Sequence, residues 1–349
     1  VAEVFVGGSF AKGTIIKKDH YDIDIFIRFD GRYKNDELSK FTEKILAPMN
    51  FTKIHGSRDY FKAEVSKSIF FEVIPVKKVR SPKEAENITD LSYFHVNYIK
   101  KKVKKKNILD EIRLAKAFCY ANNSYGAESY VGGFSGYGLE LLIYSYKSFM
   151  NFVKNIAKNE KNKIIIDIEK YYKNKNQILM DLNAAKLQSP IILIDPTYKQ
   201  RNVLAALSEE TFNKFKESCR KFIKNPSIKE FEVKKINFEE IEKNARNKRY
   251  EFISLKAKTD RQEGNIAGSK LLKFYKHLKD EIQKYFEIKG TGFEYPAEGK
   301  SANFFFVVGR NKEILIHGPS LKQEEHVKRF KNKYKRIFIK NDRLYTKYK

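Results

Sequence analysis

The chain has 349 residues, of which 42% are hydrophobic and 14% aromatic, and this composition excludes an intrinsically disordered protein. Lys and Arg number 70 against 43 Asp and Glu, a formal net charge of +27 at pH 7, so a polyanion is the expected partner. A nucleic acid fits this charge better than a membrane does, because Trp is absent and no amphipathic basic segment has a Trp-rich apolar face or a lipidation signal.

The cysteine content and the absence of targeting signals predict a cytoplasmic protein. Cys119 and Cys219 stand far apart and form no CxxC motif, so we expect both to be core residues in a reducing compartment. No segment resembles a signal peptide or a membrane-spanning helix. Because the chain begins at Val1 within an expected strand, we also expect natural residues before it.

The first hundred residues alternate between strand and helix patterns. Val4–Val6 is a short apolar strand closed by two glycines, and further strands are predicted at Asp22–Phe29 and Ile69–Val76. Asp36–Met49 has apolar residues at helical spacing. These patterns predict an α+β domain over residues 1–103.

The middle of the chain has a helical period. Ile108, Ile112 and Cys119 form one apolar stripe, and Leu139–Ile156 is predicted as a second long helix. We therefore expect a mostly helical central domain over residues 104–233.

The last part of the chain is predicted to be a small α+β module over residues 234–349. Lys234–Arg249 is polar and is expected to be a connection or an exposed helix, and a strand is expected at Tyr250–Leu255. Asn303–Val308 and Glu313–His317 flank Gly309–Lys312, a pattern that predicts a hairpin. A helix with apolar Val327, Phe330 and Tyr334 is expected to follow.

Two carboxylates two residues apart are the first sign of chemistry. Asp22 and Asp24 project from one face of the expected strand, while Ile23, Ile25 and Ile27 project from the other. Carboxylates this close repel each other unless a cation lies between them, and hard oxygen ligands suit Mg²⁺. The structural alternative is a solvent-exposed strand face.

Three further features support a site for phosphates and metal ions. The glycines before Ser9 allow backbone N–H groups to approach phosphate oxygens, and Lys12 lies one helical turn after Ser9. Glu72 lies among apolar neighbours and needs a partner. If its strand pairs beside Asp22–Ile27, Glu72 completes a three-carboxylate site for two metal ions. Lys116 shares the apolar stripe of the central helix, which indicates an anionic partner near that face.

The chain resembles a known family in these and in longer stretches. Gly8, Ser9 and Asp22-Ile23-Asp24 with a distant third acid resemble the signature of the polymerase β nucleotidyltransferase superfamily. Almost the whole chain resembles the archaeal CCA-adding enzymes, in FEVIP at 71–75, NSYGAE at 123–128, GFSGYGLELL at 133–142, Asp195-Pro196 with Arg201-Asn202-Val203, and Gly318-Pro319 followed by EHVKRF at 325–330. The resemblance implies a polymerase β-like palm, a helical central domain and a C-terminal RNA-binding domain.

The resemblance also assigns site residues. Asp22, Asp24 and Glu72 would hold Mg²⁺, Arg201 in a loop would read the base edge, and the nucleotide triphosphate would contact Gly8, Ser9, Lys12, His95, Lys116 and Tyr125. Taken singly, His95 is also compatible with a structural histidine, Tyr125 with a packing aromatic and Arg201 with a solvated charge. The chain has Lys12 where the family has arginine and Glu72 where it has aspartate, and a family histidine near Asp59 has no assigned counterpart.

The implied activity is template-independent addition of C, C and A to the 3′ end of tRNA from CTP and ATP. Lysine-rich runs at 100–106 and 328–335 are expected to contact phosphates, and the family uses its C-terminal tail to grip the acceptor and TΨC stem. The alternatives are a poly(A) polymerase or oligoadenylate-type enzyme and a non-catalytic RNA-binding relative. The sequence does not decide the oligomeric state, and a homodimer stays open.

Overall fold

The computed structural model describes residues 2–18, 20–56, 58–160, 163–233, 236–261, 263–296, 299–310 and 314–348. Contacts between residues divide the chain into two units, Val1–Lys234 and Lys235–Lys349. The further division of the first unit at 103/104 stays a prediction. No helix in these ranges is both long and apolar enough to cross a membrane.

The first unit begins with a five-stranded mixed sheet of order β1-β2-β5-β4-β3. Its parallel pair, β2 with β5, lies at the centre, and the other neighbours are antiparallel. The strands are β1 (Ala2–Val6), β2 (Tyr21–Phe29), β3 (Thr52–Ile54), β4 (Tyr60–Ser66) and β5 (Ile69–Lys77). The helices are α1 (Gly8–Ala11), α2 (Asn35–Leu46) and α3 (Ser92–Lys102), with short 3₁₀ turns at Pro82–Glu84 and Ile88–Leu91.

Alternation along β2 places its isoleucines against the core. Ile25 and Ile27 pack with Leu38 of α2 and with Phe61 and Val73 of the neighbouring strands. The opposite face is left to Asp22 and Asp24, as the period of two predicts.

The rest of the first unit is mostly helical and packs around an aromatic core. Phe118, Phe134, Phe152 and Phe215 are fully buried in it, with ring centroids of neighbouring pairs 4.9–6.1 Å apart. The helices are α4 (Lys106–Ala121), α5 (Gly136–Tyr146), α6 (Phe149–Lys158), α7 (Lys175–Asp181) and α8 (Glu209–Lys224), followed by a 3₁₀ turn at Ile228–Phe231.

The single long helix predicted over Leu139–Ile156 is wrong. The chain forms α5 and α6 instead, because Lys147 adopts a left-handed conformation with φ of 69° that ends the first helix. Ser148 then caps the second helix by accepting from the N–H of Asn151.

A three-stranded sheet, β6-β7-β8, lies within this helical region and is not among the predicted elements. Its strands are β6 (Ile164–Ile166), β7 (Ile191–Asp195) and β8 (Tyr198–Asn202). The prediction that Arg201 lies in a loop is therefore wrong, because Arg201 belongs to β8.

The second unit contains two three-stranded antiparallel sheets, of order β10-β11-β9 and β12-β14-β13. The strands are β9 (Glu251–Lys258), β10 (Phe286–Glu294), β11 (Ser301–Arg310), β12 (Ile314–Ser320), β13 (Ile337–Lys340) and β14 (Arg343–Tyr348). The helices are α9 (Phe238–Asn247), α10 (Gly264–Gln283) and α11 (Glu324–Lys333). The charged segment predicted as a connection or an exposed helix contains the helix α9.

The predicted hairpin between the strands before and after Gly309–Lys312 is wrong. β11 pairs with β9 and β10, whereas β12 pairs with β14 in the other sheet. Residues 311–313 lie outside the described residues. The 20-residue helix α10, which packs Leu271 and Tyr275 against β11, was also not predicted.

Candidate active site

Neighbouring strands bring the three predicted carboxylates to the centre of the first sheet. Asp24 on β2 lies in register with Glu72 on β5, and Glu72 lies in register with Lys62 on β4. Asp22 lies two residues before Asp24 and therefore projects from the same face. The three-carboxylate site had been predicted on the condition that the Glu72 strand pairs beside Asp22–Ile27, and β5 does pair with β2.

Lys62 is a basic side chain within this acidic group. Its Nζ lies 3.1 Å from Asp22 Oδ1 and 3.9 Å from Glu72 Oε1, and 4.5 Å from the centroid of the Phe70 ring. Within the described ranges, no group of three or more His, Cys, Asp or Glu side chains is close enough to hold a metal ion. The ammonium group thus balances two of the carboxylates in this conformation.

The glycine turn after β1 packs directly against Asp24. Gly8 has φ of +58°, and a Cβ at this position would lie 1.6 Å from Asp24 Oδ2. The N–H of Gly7 donates to the Asp24 carbonyl oxygen at 2.8 Å. Only glycine fits here, because any side chain would displace the carboxylate.

The donors in this group fit a hard divalent cation. All are carboxylate oxygens, which Mg²⁺ and similar ions prefer. Burial raises the pKa of Asp24, the charge of Lys12 opposes this rise, and the charge of Asp22 adds to it. A cation bound by Asp22 and Asp24 would remove both the burial cost and the mutual repulsion.

A second charged cluster lies next to the glycine turn. Lys12 Nζ donates to Glu140 Oε2 at 2.7 Å, and Lys116 Nζ donates to Glu140 Oε1 at 2.7 Å. Thr14 Oγ1 donates to the same Oε1 at 2.6 Å and accepts from Lys116 at 2.8 Å. Glu140 on α5 is fully buried, and the Lys12 and Lys116 side chains are 7% and 1% exposed.

Electrostatics keep Glu140 ionised. Burial alone would raise its pKa, but the charges and hydrogen bonds of Lys116 and Lys12 outweigh this effect and hold the pKa at about 2. Burial lowers the pKa of Lys116, while Glu140 raises it. Two buried lysines share one glutamate, so a positive charge remains to attract an anion.

Tyr125 and Lys18 border this cluster. A Cβ on Gly136 would lie 2.9 Å from the Tyr125 hydroxyl and 3.7 Å from Lys116 Nζ, which places both groups at the start of α5. Lys18 Nζ lies 4.8 Å from the centroid of the Tyr125 ring. Burial raises the pKa of Tyr125, so its hydroxyl is a neutral donor at pH 7.

A third cluster contains His95 and Arg201, which meet at a buried carboxylate. Arg201 Nη1 donates to Asp195 Oδ2 at 2.6 Å, and His95 Nε2 lies 3.1 Å from the same oxygen. The His95 ring stacks on Tyr137 with a centroid distance of 4.1 Å. Burial lowers the pKa of His95, although its bond to Asp195 works in the opposite direction.

Tyr137 connects the second and third clusters. Lys12 Nζ lies 5.7 Å from the centroid of the Tyr137 ring, and the His95 ring stacks on the same ring. Gly8 connects the second cluster to Asp24 through the short helix that carries Ser9. All the predicted site residues therefore lie in one continuous region of the first unit.

Several residues of this region were not predicted as site residues. Glu140 lies between Leu139 and Leu141 in an apolar helical segment, and the same reasoning that singled out Lys116 applies to it. Asp195 ends the buried strand β7 and was noted only for its resemblance to the family. Lys62 had no sequence signal, since it becomes significant only when β4 pairs with β5.

The side chains near Asp59, where a family histidine has no assigned counterpart, make local contacts. Arg58 is buried, where it pairs with Asp90 and donates to Asn35 Oδ1 at 2.7 Å. His55 Nδ1 lies 2.8 Å from Asp59 Oδ1, and the His55 side chain is exposed. These contacts hold the β3–β4 region and do not reach the charged clusters.

Both basic runs are largely exposed. In the first unit, Lys100, Lys101, Lys104, Lys105 and Lys106 are exposed where α3 ends and α4 begins, while Lys102 pairs with Glu169 at 2.8 Å. In the second unit, Lys328, Lys331 and Lys333 are exposed on α11. A cleft beside α11 is lined by His317, His326, Arg329 and Phe330 among others.

Known proteins align with almost the whole chain. A family model described as a nucleotidyltransferase domain matches residues 1–115, and one described as the second domain of tRNA nucleotidyltransferase matches residues 110–232. The CCA-adding enzyme of Nanoarchaeum equitans is 34% identical over 99% of this chain and 83% of that protein. Those of Methanocaldococcus jannaschii and Archaeoglobus fulgidus are 31% and 30% identical, each over 99% of this chain and 77% of the relative.

Solved structures show the same fold at low identity. A cytoplasmic RNA terminal U-transferase superimposes with a TM-score of 0.50 at 13% identity, over 67% of this chain and 87% of that one. The Cid1 poly(U) polymerase, solved with Mg and 3′-dATP bound, gives 0.51 at 13% identity, over 67% and 86% of the two chains. The likeness establishes the polymerase β-like nucleotidyltransferase fold, and enzymes with this fold generally use divalent metal ions.

Proposed function

We propose that this chain, which belongs to the family of archaeal CCA-adding enzymes, adds C, C and A to the 3′ end of tRNA without a nucleic-acid template. The observation that carries the proposal is the match to these enzymes over 99% of the chain. The arrangement of carboxylates beside buried lysines supports it, because nucleotidyl transfer requires both metal ligands and phosphate ligands.

The reaction is an in-line displacement at phosphorus. The oxygen of the tRNA 3′-hydroxyl forms a bond to the α-phosphorus of CTP or ATP and loses its proton, the bond from this phosphorus to the bridging oxygen breaks, and pyrophosphate leaves. Asp22, Asp24 and Glu72 would hold Mg²⁺, which supplies activation of the hydroxyl and neutralisation of the leaving group. Lys62 balances Asp22 and Glu72 before the ion binds.

The cluster around Glu140 is suited to hold the triphosphate. Lys12 and Lys116 bring two ammonium groups to one buried carboxylate, which leaves a net positive charge beside the Asp24 carboxyl group. Ser9 and Gly8 lie on the turn that separates the lysines from the carboxylates. The helix α1 has only four residues, so its dipole contributes little to phosphate recognition. Recognition depends instead on the backbone N–H groups of Gly8 and Ser9 and on Tyr125.

The cluster around Asp195 is suited to read the base. Arg201 is partly exposed, with 19% of its side chain accessible, and its guanidinium can donate to O2 and N3 of cytosine or to N1 of adenine. It would face the N3–H donor of uracil and the N1–H donor of guanine unfavourably. His95 stays neutral at pH 7 because its pKa is lowered by burial, so it contributes hydrogen bonding rather than charge.

The basic surfaces are suited to bind the tRNA backbone. Exposed lysines lie at the junction of α3 and α4 and along α11, and the net charge of +27 favours association with RNA. We assign α11 to the acceptor and TΨC stem, where A-form shape rather than sequence is read. We expect the enzyme to act in the cytoplasm. Sedimentation of the purified protein will decide whether it is a monomer or a homodimer.

Nucleotide supply tests the proposal most simply. With purified protein, Mg²⁺ and tRNA that ends at its discriminator base, CTP alone should add two residues and CTP with ATP should add three. Long tails from ATP alone would identify a poly(A) polymerase or oligoadenylate-type enzyme. Tight tRNA binding without any extension would identify a non-catalytic RNA-binding relative.

A further inference from the structure

Asp195 is a fully buried carboxylate at the end of β7, one turn before the strand that carries Arg201. Thr197 holds one of its oxygens, because its N–H and Oγ1 both donate to Oδ1 at 2.8 and 2.7 Å. The Tyr137 hydroxyl donates to the same oxygen at 3.3 Å. The turn between β7 and β8 therefore fixes the carboxylate plane without help from Arg201.

The other oxygen, Oδ2, faces the two predicted nucleotide-binding residues. Arg201 Nη1 lies at 2.6 Å and His95 Nε2 at 3.1 Å from it, while Nη1 and Nε2 are 3.1 Å apart. A carboxylate only accepts, so it favours the tautomer with hydrogen on Nε2, and the guanidinium must then use Asp195 as its anchor. The described contacts of Arg201 use Nη1, which leaves Nε and Nη2 to meet a ligand.

The energetics favour a permanent anchor over an incidental surface pair. Burial alone would raise the pKa of Asp195, but its bond to His95 and the charge of Arg201 hold the pKa well below the usual range. A buried charge of this kind is costly to leave unpaired. Arg201 is thus held from the protein side, whereas an exposed arginine would sample several rotamers.

We propose that Asp195 is the positioning residue for base selection, because it fixes the direction in which the Arg201 guanidinium presents its remaining donors to the incoming base. The inference rests on the proposed function and adds to it a residue that acts through Arg201. An anchored guanidinium cannot turn away from the N3–H of uracil or the N1–H of guanine, so the wrong bases meet a donor. A released guanidinium can turn away, and discrimination falls.

The variant Asp195→Asn tests this role with little change of shape. The side-chain amide keeps an acceptor for Thr197 but loses the charge that holds Arg201. Single-turnover incorporation of each of the four nucleotides should show the ratio of UTP to CTP use rising about tenfold or more, with a smaller loss for CTP itself. Inhibition by inorganic tripolyphosphate, which carries no base, should stay within about twofold of wild type.

Two further variants complete the design. Asp181→Asn makes the same chemical change at an exposed aspartate that contacts Gln200 of β8 at 3.5 Å, and it should keep the wild-type ratio. Thr197→Val removes one donor to Oδ1 while keeping the charge, and it should raise UTP use by a smaller factor. It serves as the test if thermal melting shows that Asp195→Asn does not fold.

An unchanged ratio of UTP to CTP in folded Asp195→Asn would overturn the inference. So would equal losses for all four nucleotides, which would mark a merely structural residue. If Asp195→Asn does not fold, an unchanged ratio in Thr197→Val has the same meaning. A wild-type protein that does not prefer CTP and ATP would overturn the proposed function itself, and this inference with it.

Discussion

Glu140 holds two buried lysines, so its ionisation is coupled to the stability of the fold. Its pKa in the folded protein is about 2, below the value of 4.5 for the free side chain. A carboxyl group whose pKa is lowered on folding stabilises the folded state at pH values above its pKa in the unfolded chain. This stability is lost as the pH falls through its pKa in the folded protein. The window for Glu140 therefore runs from about pH 4.5 down to about pH 2.

We expect Glu140→Gln to lower the stability of the first unit at pH 7 and to flatten its acid dependence. The glutamine cannot neutralise Lys12 and Lys116, and the stability that depends on ionised Glu140, on the order of 3 kcal/mol, is absent at every pH. Denaturant unfolding at several values between pH 6 and pH 3 measures both effects. The exposed Glu217→Gln is the control, and a Glu140→Gln curve with the wild-type slope would contradict the prediction.

At the scale of elements, the site depends on pairings between strands and turns that lie far apart in the sequence. β2 and β5 bring Asp24 beside Glu72, and the turn after β1 brings Gly8 against Asp24. This turn then leads directly to Lys12 and the Glu140 cluster. The position of the Asp24 carboxylate is therefore set by the absence of a side chain at residue 8.

Gly8→Ala should disable nucleotide addition far more than it destabilises the fold. The positive φ costs alanine about 1 to 2 kcal/mol, but the added methyl group must also displace the Asp24 carboxylate, and we expect a loss of at least about a hundredfold in single-turnover rate. Gly264→Ala is the matched control, since Gly264 has the same φ of +58° and open space around it. Similar rates for the two variants would show that the Gly8 contact is unimportant.

The sequence predicted local elements better than it predicted long-range pairs. The strand Asp22–Phe29 and the helix near 36–49 follow from residue periodicity, whereas the pairing that brings Glu72 beside Asp24 entered the sequence argument only as a condition. Glu140 contacts Lys12 across 128 positions, and no local pattern contains that information. The break at Lys147 was missed because apolar spacing continues across it, while a single left-handed residue ends the helix.

At the scale of the whole molecule, the charge excess is distributed over both units. Arg329 pairs with Glu325 on α11, but Lys328 and Lys331 extend into solvent. Surface charges of this kind contribute little to folding and much to association with a polyanion. α11 is therefore expected to add to tRNA affinity without contributing to catalysis.

Replacing Lys328, Arg329 and Lys331 together by glutamine should weaken tRNA binding and flatten its dependence on salt, because fewer counterions are released on association. Binding measured at several salt concentrations gives the slope. The same charge loss at Lys214, Lys216 and Arg220 on α8 is the control. An unchanged slope for the α11 variant would show that this helix does not contact phosphates.

The measurement that tests the central claim most directly compares Asp24→Asn with wild type in both tRNA binding and 3′ extension. The account predicts extension below about a hundredth of wild type, because the carboxylate charge that would hold the divalent ion is lost, with tRNA affinity within a few-fold. Asp30→Asn, at a residue just after β2 whose side chain is 45% exposed, should keep both properties. Extension by Asp24→Asn above about a hundredth of wild type would contradict the assignment of the active site to these carboxylates.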